Sequence, residues 1–447
     1  MLNIKEIVIA SKGKLLNGNE NDIVKSYKID SREVEKLDFF IPIKGDKINS
    51  HKFLFDISEK GAIGFFLEKK YYIENKENIN KIITKYKDIN IIIIENSLKA
   101  LYEIGKYNRS IHMNIPIIAV TGSVGKTSTK EMIASIFETK YNVLKTYKNF
   151  NGYIGLSLML LMLENQDVAI LEHGIDSKGE MELLANASKP TYSVITNIGM
   201  SHIENFGNRE NIGIEKLIIS KYTEKLVYVN GEDDILKNTN KDKYYLNEIN
   251  DIKQEKNKIS YYTNIYNERS KVEINECGKH NIFNSLVAIR ISEKFNIEKY
   301  NIIQGIKNYK NFERRFEVKN LNSGKILIDD TYNASFDSFK SGLESLNSFK
   351  EKKVVILGDI LEVGTYAEKL HRNVGKLFKN IKVDEVITFG NNSKFINLEA
   401  NKYVKSKHYE SKEEIISYIN NIKYKNIVIY LKASNGMKFK DIVDKIN

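Results

Sequence analysis

The sequence predicts an α/β protein of three domains, and three observations support this. The chain has 447 residues, too many for one ordinary core and enough for about three domains. Apolar strands alternate with helical stretches in two separate blocks, as in mostly parallel sheets with helices on both faces. A shorter first block ends in a run of β-branched residues. We expect domains over residues 1–96, 97–312 and 313–447.

The first block carries short apolar runs and ends in a candidate buried strand. Phe39–Ile43 and Ala62–Leu67 are the clearest of these runs. Ile89–Ile94, with the sequence INIIII, is typical of a strand buried on both faces. We expect a small α/β domain here.

The second block repeats strand and helix, with a glycine turn after its first strand. This rhythm predicts a mostly parallel sheet. Its apolar segment Ile154–Leu163 predicts a buried helix, and the polar segment 251–276 is either a long surface excursion or a small extra sheet. Its candidate strands are Ile115–Val120, Val168–Gly174, Tyr192–Gly199 and Lys225–Gly231.

The third block repeats the same alternation on a smaller scale and predicts a Rossmann-like α/β domain. Its candidate strands are Lys325–Asp330, Lys352–Asp359, Asp384–Gly390 and Asn426–Ala433.

Composition excludes several classes of protein. Charged residues make up 28% of the chain and the formal net charge is +11. Because no segment concentrates arginine among aromatic residues, we interpret this charge as a solvated surface rather than a nucleic-acid site. No apolar stretch reaches the roughly 18 residues of a membrane helix. The single cysteine, Cys277, cannot form an internal disulfide. We expect a cytoplasmic protein without membrane insertion, and a monomer.

The sharpest motif is TGSVGKTS, Thr121–Ser128, between a strand and a helix. Gly122 and Gly125 allow a tight turn whose N–H groups can point at phosphate oxygens. Lys126 can reach the β- and γ-phosphates, and the Thr127 hydroxyl can bind Mg²⁺. The usual phosphate loop begins with glycine where this chain has Val120. We favour a nucleotide site, made by Gly122, Ser123, Val124, Gly125, Lys126, Thr127 and Ser128, over an ordinary strand–turn–helix junction.

Two later residues follow strands of the same predicted sheet. Glu172 ends the strand VAILE, and His202 follows YSVITNIGMS. Carboxyl ends of parallel strands lie along one edge, so both side chains can reach a common crevice and help bind magnesium. Either residue alone would be read as a surface or capping residue.

Here the chain resembles a known family, the ATP-dependent Mur ligases of peptidoglycan synthesis. The resemblance runs through TGSVGKTS and a series of later strings in the family's order. DDTYNAS and LGDILEVG are similar to the MurF branch, which joins D-alanyl-D-alanine to UDP-N-acetylmuramoyl-tripeptide. DSRE (Asp30–Glu33) and the segment Phe39–Phe53 resemble the UDP-recognition region. The later strings are KNFNGYIG (Lys148–Gly155), LEHGIDSKGE (Leu171–Glu180), TNIGMSHIENFG (Thr196–Gly207), GKHNIFNSLVA (Gly278–Ala288), RRFEV (Arg314–Val318), DDTYNAS (Asp329–Ser335) and LGDILEVG (Leu357–Gly364).

The resemblance implies amide formation through an acyl phosphate, with ATP and Mg²⁺ as cofactors and two small-molecule substrates, UDP-N-acetylmuramoyl-tripeptide and D-alanyl-D-alanine. It implies a role in cell-wall biogenesis, and with it in cell shape and cell division. It also implies an N-terminal UDP-binding domain, a central phosphate-loop domain and a C-terminal Rossmann-like domain.

The same resemblance implies catalytic and metal-binding residues. Lys126 would stabilise the γ-phosphate, Thr127 and Glu172 would hold one Mg²⁺, and His202 would help hold a second metal. Lys216 matches a lysine that family members carbamylate with CO₂, so that it becomes a metal ligand. The family often has glutamate where Ile218 stands, which leaves Lys221 as a competitor and a solvated lysine as a further interpretation.

Nucleotide and substrate contacts are implied elsewhere. Asn284 resembles the asparagine that contacts adenine, Arg315 an arginine brought to the ATP phosphates, and Asp330 the residue that contacts the ribose. For Arg315 the alternative is a surface charge beside Arg314. Implied substrate contacts are Asn333 and, in the first block, five residues that could also be ordinary turn residues: Ser31, Arg32, Lys44, Gly45 and His51.

The chain departs from the family pattern at three places. Gly152 replaces an asparagine, Ser157 a proline and Asn435 an arginine. These departures affect the implied contacts with the second substrate more than the implied ATP chemistry.

Two alternative functions remain open. One is another amide ligase of the superfamily, either the ligase that adds the third amino acid or a folylpolyglutamate synthase. The other is a non-catalytic nucleotide-binding switch.

Overall fold

A computed structural model describes residues 1–45, 48–255, 258–278, 280–423 and 426–446. The chain divides into two compact units. One comprises residues 1–118, 144–173 and 182–190, and the other comprises residues 119–143, 174–181 and 191–447. The predicted α/β class is confirmed, because parallel strands alternate with helices in the three larger sheets. The boundaries at residues 96 and 312 stay a prediction.

The N-terminal sheet has five strands in the order β1-β5-β4-β3-β2, parallel except for the β1–β5 pair. The strands are β1 (Lys14–Asn17), β2 (Ser26–Lys28), β3 (Asp38–Phe40), β4 (Gly64–Glu68) and β5 (Asn90–Ile94). The helices are α1 (Ile4–Ser11), α2 (Leu54–Glu59), α3 (Lys69–Glu74), α4 (Lys76–Lys85) and α5 (Ser97–Ile111).

Successive side chains of these strands enter two different hydrophobic cores. Phe66 and Ile92 belong to one core, and their neighbours Phe65 and Ile91 to the other. Strands that are buried on both faces need no polar alternation, which explains the INIIII run. Each buried phenylalanine contributes roughly 1.5–3 kcal/mol.

The second sheet has six strands in the order β11-β10-β9-β6-β8-β7, and β9, β10 and β11 pair in parallel. The helix predicted within residues 154–163 is confirmed as α7. The strands are β6 (Ile117–Thr121), β7 (Val143–Lys145), β8 (Val168–Glu172), β9 (Tyr192–Ile195), β10 (Leu226–Asn230) and β11 (Asp242–Tyr244). The helices are α6 (Lys126–Phe137), α7 (Tyr153–Leu161), α8 (Glu180–Ser188), α9 (Ile203–Phe206) and α10 (Arg209–Leu217).

The polar segment after β11 forms a small antiparallel sheet, so the second of the two interpretations is correct. Its strands are β12 (Asn250–Glu255), β13 (Lys258–Ile265) and β14 (Glu268–Ile274). Alternate residues of β13 are buried, and the Tyr261 hydroxyl hydrogen-bonds Ser285 at 2.5 Å. Two helices follow, α11 (His280–Lys294) and α12 (Lys299–Asn308).

The C-terminal sheet has the order β15-β16-β20-β17-β18-β19, and only the edge strand β15 is antiparallel to its neighbour. The strands are β15 (Glu317–Asn320), β16 (Ile326–Asp330), β17 (Lys352–Leu357), β18 (Glu385–Phe389), β19 (Ser406–Tyr409) and β20 (Ile427–Lys432). The helices are α13 (Phe336–Ser345), α14 (Ala367–Lys376), α15 (Lys394–Ala400), α16 (Lys412–Asn420) and α17 (Lys440–Val443).

No helix among the described residues is long and apolar enough to cross a membrane.

Candidate active site

The loop between β6 and α6 has a shape that only glycine permits at two positions. Gly122 has φ 146° and Gly125 has φ 84°, values that L-residues with a Cβ rarely adopt. A Cβ on Gly122 would lie 1.9 Å from the Thr196 hydroxyl oxygen. Gly125 is the N-cap of α6 and has no side chain to bond the first N–H groups of the helix. These groups therefore form an anion site at the positive end of the helix dipole.

The segment after β9 holds this loop in place. The Asn197 side-chain oxygen accepts hydrogen bonds from the backbone N–H groups of Ser123 (3.1 Å) and Val124 (2.9 Å). The Thr196 hydroxyl donates to the Val124 carbonyl at 2.6 Å, and the Gly199 N–H donates to the Ser123 hydroxyl at 2.8 Å. Two of the loop's backbone amides thus donate to one neutral side-chain oxygen.

The charged and hydroxyl side chains of the loop lie at the start of α6. The Lys126 ammonium donates to the Gly122 carbonyl at 2.8 Å, so it is folded over the loop. The Thr127 hydroxyl accepts a hydrogen bond from the Arg315 guanidinium at 3.2 Å. Ser128 is buried and hydrogen-bonds the Tyr309 hydroxyl. The structure therefore brings the Arg315 guanidinium to the phosphate loop. Its role at the ATP phosphates stays a prediction.

Asn284 lies beside the loop on α11. Its side-chain oxygen accepts from the Thr129 hydroxyl at 3.0 Å and lies 3.3 Å from the position of a Cβ on Gly125. Its Nδ2 is buried without a hydrogen-bond partner among the described residues. A buried donor of this kind costs about 1–3 kcal/mol unless something accepts from it, which fits a polar atom of a ligand. Lys279, the preceding residue of the GKHN string, lies outside the described residues.

Arg315 stands on a strained turn. Its neighbours Arg314 (φ 59°) and Phe316 (φ 55°) both adopt left-handed backbone conformations, which bulky residues keep only where the surroundings hold them. The Arg315 guanidinium lies over the Tyr332 ring, 4.4 Å from its centroid. Its Nε is buried and has no hydrogen-bond partner in the described part of the chain.

Asp330, at the end of β16, lies behind this turn in a network of buried polar groups. Its carboxylate accepts from the Lys432 ammonium at 2.7 Å and from the Tyr430 hydroxyl at 2.8 Å. Burial lowers the pKa of Lys432, and the negative charge of Asp330 opposes this shift without cancelling it. Burial also lowers the pKa of His280, at the start of α11, to about 4. Asn333 is exposed, and its carbonyl accepts from Lys432 at 3.2 Å.

His202 is placed between two carboxylates. Its Nδ1 lies 2.8 Å from Glu362 and its Nε2 lies 3.3 Å from Asp176. About a quarter of the side chain is exposed, and the backbone has φ 57° at the start of α9. Among the described residues, no group of three or more His, Cys, Asp and Glu side chains is arranged to hold a metal ion. Metal binding by His202 stays a prediction.

Lys216 and its competitor Lys221 differ in burial. Lys216 lies on α10 and is 4% exposed, whereas Lys221 is exposed in the following 3₁₀ turn. The neighbouring Glu215 carboxylate accepts from the N–H groups of Gly179 (2.9 Å) and Met181 (3.0 Å). Of the two lysines, Lys216 is the buried one.

Glu172 ends β8 and is 3% exposed. Its carboxylate accepts from the Asn151 amide at 2.8 Å, and its backbone N–H donates to the Thr146 hydroxyl at 2.8 Å. Gly152, where the family has asparagine, would have open space around a Cβ. Of the other departures, Ser157 donates to the Tyr153 carbonyl within α7, and Asn435 accepts from Arg314 at 2.7 Å.

The candidate substrate residues of the first block lie mostly at the surface. The Arg32 side chain is 87% exposed and pairs with Asp30 at 2.6 Å, which lowers the pKa of Asp30 to about 2. The Ser31 carbonyl accepts from Lys60 at 2.8 Å. Lys44 and Gly45 are exposed.

His51 differs from these residues because it is buried. Its Nδ1 lies 2.8 Å from the Asn49 side-chain oxygen, and its Nε2 accepts from the Glu68 N–H at 3.2 Å. Both ring nitrogens are therefore engaged by the protein.

Comparison with known proteins agrees with this geometry. The Mur ligase middle domain model matches residues 120–292, and the Mur ligase, glutamate ligase domain model matches residues 314–435. The UDP-N-acetylmuramoyl-tripeptide--D-alanyl-D-alanine ligase of Bacillus subtilis is 32% identical over 98% of this chain and 97% of its own length. The chain belongs to the Mur ligase family.

Further relatives support this assignment. A Mur ligase of the same name from Buchnera aphidicola is 29% identical over 95% of this chain and 92% of its own length. The crystal structure of MurF from Acinetobacter baumannii has a TM-score of 0.87 at 22% identity, covering 100% of this chain and 98% of that one. The MurF ligase of Thermotoga maritima in complex with ADP has a TM-score of 0.80 at 22% identity, covering 94% and 97%. These structures show that the chain has the Mur ligase fold.

Two residues of this Mur ligase were missed by sequence reasoning. Asn197 lies inside the quoted TNIGMSHIENFG string, and a polar residue directly after a buried strand was the signal that could have found it. Lys432 ends the apolar strand IVIYLK and is 2% exposed, so a charge within an apolar run was the corresponding signal. In both cases the partner lies far away in the sequence.

Proposed function

We propose that this chain is an ATP-dependent ligase that joins D-alanyl-D-alanine to UDP-N-acetylmuramoyl-tripeptide, a cytoplasmic step of peptidoglycan synthesis carried out as a monomer. The observation that carries the proposal is the 32% identity over 98% of the chain to the Bacillus subtilis ligase of that name. The glycine loop before α6 and the Arg315–Thr127 contact support it, because they place cationic groups and N–H donors at a phosphate site.

The proposed reaction forms one amide bond and cleaves one phosphoanhydride bond. An oxygen of the tripeptide's terminal carboxylate attacks the γ-phosphorus of ATP, and ADP leaves. The amino nitrogen of the dipeptide then attacks the acyl carbon, loses a proton and expels phosphate. The protein's part is to position the reactants and to neutralise the transferring phosphoryl group.

The nucleotide residues of the proposal divide this work. The N–H groups at the start of α6 and the Lys126 ammonium hold the β- and γ-phosphates. Arg315 stabilises charge on the transferring group. Asn284, with its buried and unpartnered Nδ2, binds the adenine, and Asp330 binds the ribose.

Magnesium fits the donor set of this proposal. The Thr127 hydroxyl and the Glu172 carboxylate are hard oxygen ligands, and we propose that they hold one Mg²⁺. His202 and Lys216 contribute to a second metal site. When bound, the metal supplies charge neutralisation for the phosphates.

The substrate side of the proposal assigns the UDP-precursor to the domain of residues 1–96. Its contacts are Ser31, Arg32, Lys44 and Gly45. Since both ring nitrogens of His51 are engaged by the protein, we assign that residue to shaping the loop. Asn333 contacts substrate from the domain of residues 313–447, and the domain of residues 97–312 binds ATP.

We also propose that Lys216 is carbamylated by CO₂, which would turn a buried cation into an anion able to bind metal. The burial of Lys216 and the exposure of Lys221 support this choice. ¹³C NMR of the protein in ¹³C-bicarbonate should show a carbamate signal. The signal should be lost in Lys216→Ala and kept in Lys221→Ala. Its absence from the wild type, or its loss in Lys221→Ala alone, would refute the assignment.

The function is tested by phosphate release with ATP, Mg²⁺ and a panel of acceptors. UDP-N-acetylmuramoyl-tripeptide plus D-alanyl-D-alanine should support turnover, and the product should be the ligated pentapeptide precursor by mass. Turnover with single amino acids, or with folate plus glutamate, would favour another amide ligase. ATP binding without product from any acceptor would favour a nucleotide-binding switch.

A further inference from the structure

The C-terminal sheet buries a lysine that the proposed reaction does not use. Lys432 ends β20 and is 2% exposed. Its ammonium donates to Asp330 at 2.7 Å and to the Asn333 carbonyl at 3.2 Å. Removing a cation from water is costly, and a well-packed apolar residue often stabilises a fold at least as well as a buried ion pair. Stability alone is therefore a poor reason for a lysine here.

The contacts of Asp330 lead from this lysine to the turn that carries Arg315. One carboxylate oxygen, Oδ2, accepts from both Lys432 and Tyr430. The other, Oδ1, accepts from the Phe316 N–H at 3.3 Å. Gly342 leaves the space that the Tyr430 hydroxyl occupies in this network, because a Cβ there would lie 2.0 Å from the hydroxyl oxygen.

The same turn is tied down on its other side. The Tyr332 N–H donates to the Arg314 carbonyl at 3.1 Å, and the Tyr332 ring supports the Arg315 guanidinium. Arg314 and Phe316 both have left-handed backbone conformations. Such a turn relaxes unless its surroundings hold it, and the bond from Phe316 to Asp330 is one of the contacts that hold it.

We infer that Lys432 is a positioning residue for Arg315, acting by fixing the Asp330 carboxylate against the turn Arg314–Phe316. The inference rests on the role proposed above for Arg315. Without the ammonium, the carboxylate loses its strongest partner and no longer holds the Phe316 N–H. The turn then relaxes and Arg315 leaves the Thr127 hydroxyl.

A second buried lysine in the same sheet provides a matched control. Lys325 comes just before β16, at the opposite end of that strand from Asp330, and is 5% exposed. Its ammonium donates to the Ile419 carbonyl at 3.0 Å. Lys325→Met therefore removes a buried ammonium from the sheet without touching the arginine turn.

The test compares Lys432→Met, Lys432→Gln and Lys325→Met in the full chain. Lys432→Gln keeps an N–H donor for Asp330 and guards against loss of folding in the methionine variant. One readout is the ¹⁵N–¹H signal of the Arg315 Nε in arginine-labelled protein, assigned with Arg315→Lys. This signal reports the position of the Arg315 guanidinium over the Tyr332 ring and needs no turnover. The other readout is kcat and the KM for ATP.

We expect Lys432→Met to shift or broaden the Arg315 signal and to lower kcat on the order of 10²-fold, since small displacements of a catalytic group have effects of this size. The KM for ATP should rise as well, because Asp330, which we propose binds the ribose, loses the same partner. Lys432→Gln should change both the Arg315 signal and kcat less than Lys432→Met does. Lys325→Met should leave the signal and kcat as in the wild type. In an Arg315→Ala background, Lys432→Met should lower kcat no further.

The inference is overturned if the Arg315 signal is unchanged in a folded Lys432 variant, or if Lys325→Met shifts it equally. It is also overturned if both Lys432 variants unfold while Lys325→Met folds, because the pair would then be a stability element. Absence of ligase turnover in the wild type would refute the proposed function instead, and the NMR comparison would still decide the position of Arg315.

Discussion

The phosphate loop, Thr121–Ser128, and the segments on either side of β3 within residues 30–51, together called the N-terminal loop, both carry family strings, but the fold holds them differently. The phosphate loop is fixed by backbone N–H groups that bond to Asn197 and by two glycines with φ values that other residues rarely adopt. In the N-terminal loop, Arg32 is 87% exposed, and Lys44 and Gly45 are exposed. The one buried candidate there, His51, has both ring nitrogens engaged by the protein.

The difference shows which kind of binding the fold prepares in advance. A phosphate is bound largely by backbone groups and a helix end, so its site exists once the strand–turn–helix unit has folded. A uridine nucleotide bound by long surface side chains needs those chains to be ordered on binding, which costs entropy. We therefore expect substitutions in the phosphate loop to act on the chemical step, and those in the N-terminal loop to act on affinity.

The largest expected effect is that of Lys126→Ala, which removes the only charged side chain of the phosphate loop. Phosphate release should fall on the order of 10³-fold, because a cation placed at the transferring group stabilises the transition state. Arg32→Ala should instead raise the KM for the UDP-precursor about tenfold or less and leave kcat near the wild-type value. Steady-state kinetics measures both, with thermal unfolding as the check on folding. Equal losses of kcat in the two variants would remove the distinction between the loops.

Arg315→Ala should have the next largest effect, lowering kcat about 10²-fold with a smaller change in the KM for ATP. The guanidinium reaches the Thr127 hydroxyl from the C-terminal sheet, so the phosphate loop lacks a donor without it. Arg314→Gln is the matched control, because its guanidinium bonds Asn435 rather than the loop. A loss in Arg314→Gln as large as that in Arg315→Ala would assign the effect to the strained turn as a whole.

The difference between local and long-range contacts explains how much of the fold and of the candidate site could be predicted from the sequence. The β6–α6 corner follows from local patterns, an apolar strand and glycines that require positive φ, and it is confirmed at residues 117–137. Asn197 and Lys432 could not be found in this way. Asn197 reaches amides more than 70 residues away and Lys432 reaches a carboxylate 102 residues away, and these pairings depend on the order of strands in a sheet. The carboxylates beside His202 come from distant loops for the same reason.

Asn197→Asp tests whether the amides of the phosphate loop are part of the nucleotide site. A carboxylate can accept the same two N–H groups, so the loop should keep its shape. The added negative charge would repel a triphosphate, and we expect the Kd for Mg-ATP to rise about tenfold. Isothermal titration calorimetry measures it, and raising the salt concentration should reduce the difference. Asn197→Ser, which adds no charge, is the control. An unchanged Kd in the aspartate variant would place the triphosphate away from these amides.

The smallest expected effect concerns His51 and the pH dependence of stability. Burial lowers the pKa of His51 below its usual value, so the folded state prefers the neutral ring, whose Nε2 accepts from the Glu68 N–H. The stabilisation is complete above the unfolded-state pKa near 6.5 and is lost as the pH falls towards the lower folded-state pKa. One such histidine changes the free energy of unfolding by at most about 1.4 kcal/mol per pH unit.

Urea unfolding at pH 7.5 and pH 5.5 should therefore show a smaller pH effect in His51→Gln than in the wild type. A buried histidine outside the N-terminal loop, His173, serves as the reference, because burial lowers its pKa to about 4. The control variant is His408→Gln, at a partly exposed site.

If His51 shapes the loop rather than binding the UDP-precursor, His51→Gln should also leave kcat unchanged and raise the KM for the precursor no more than Arg32→Ala does. A selective rise in that KM without a change in the pH dependence of stability would instead make His51 a ligand contact, and the N-terminal loop would then be prepared for binding as the phosphate loop is.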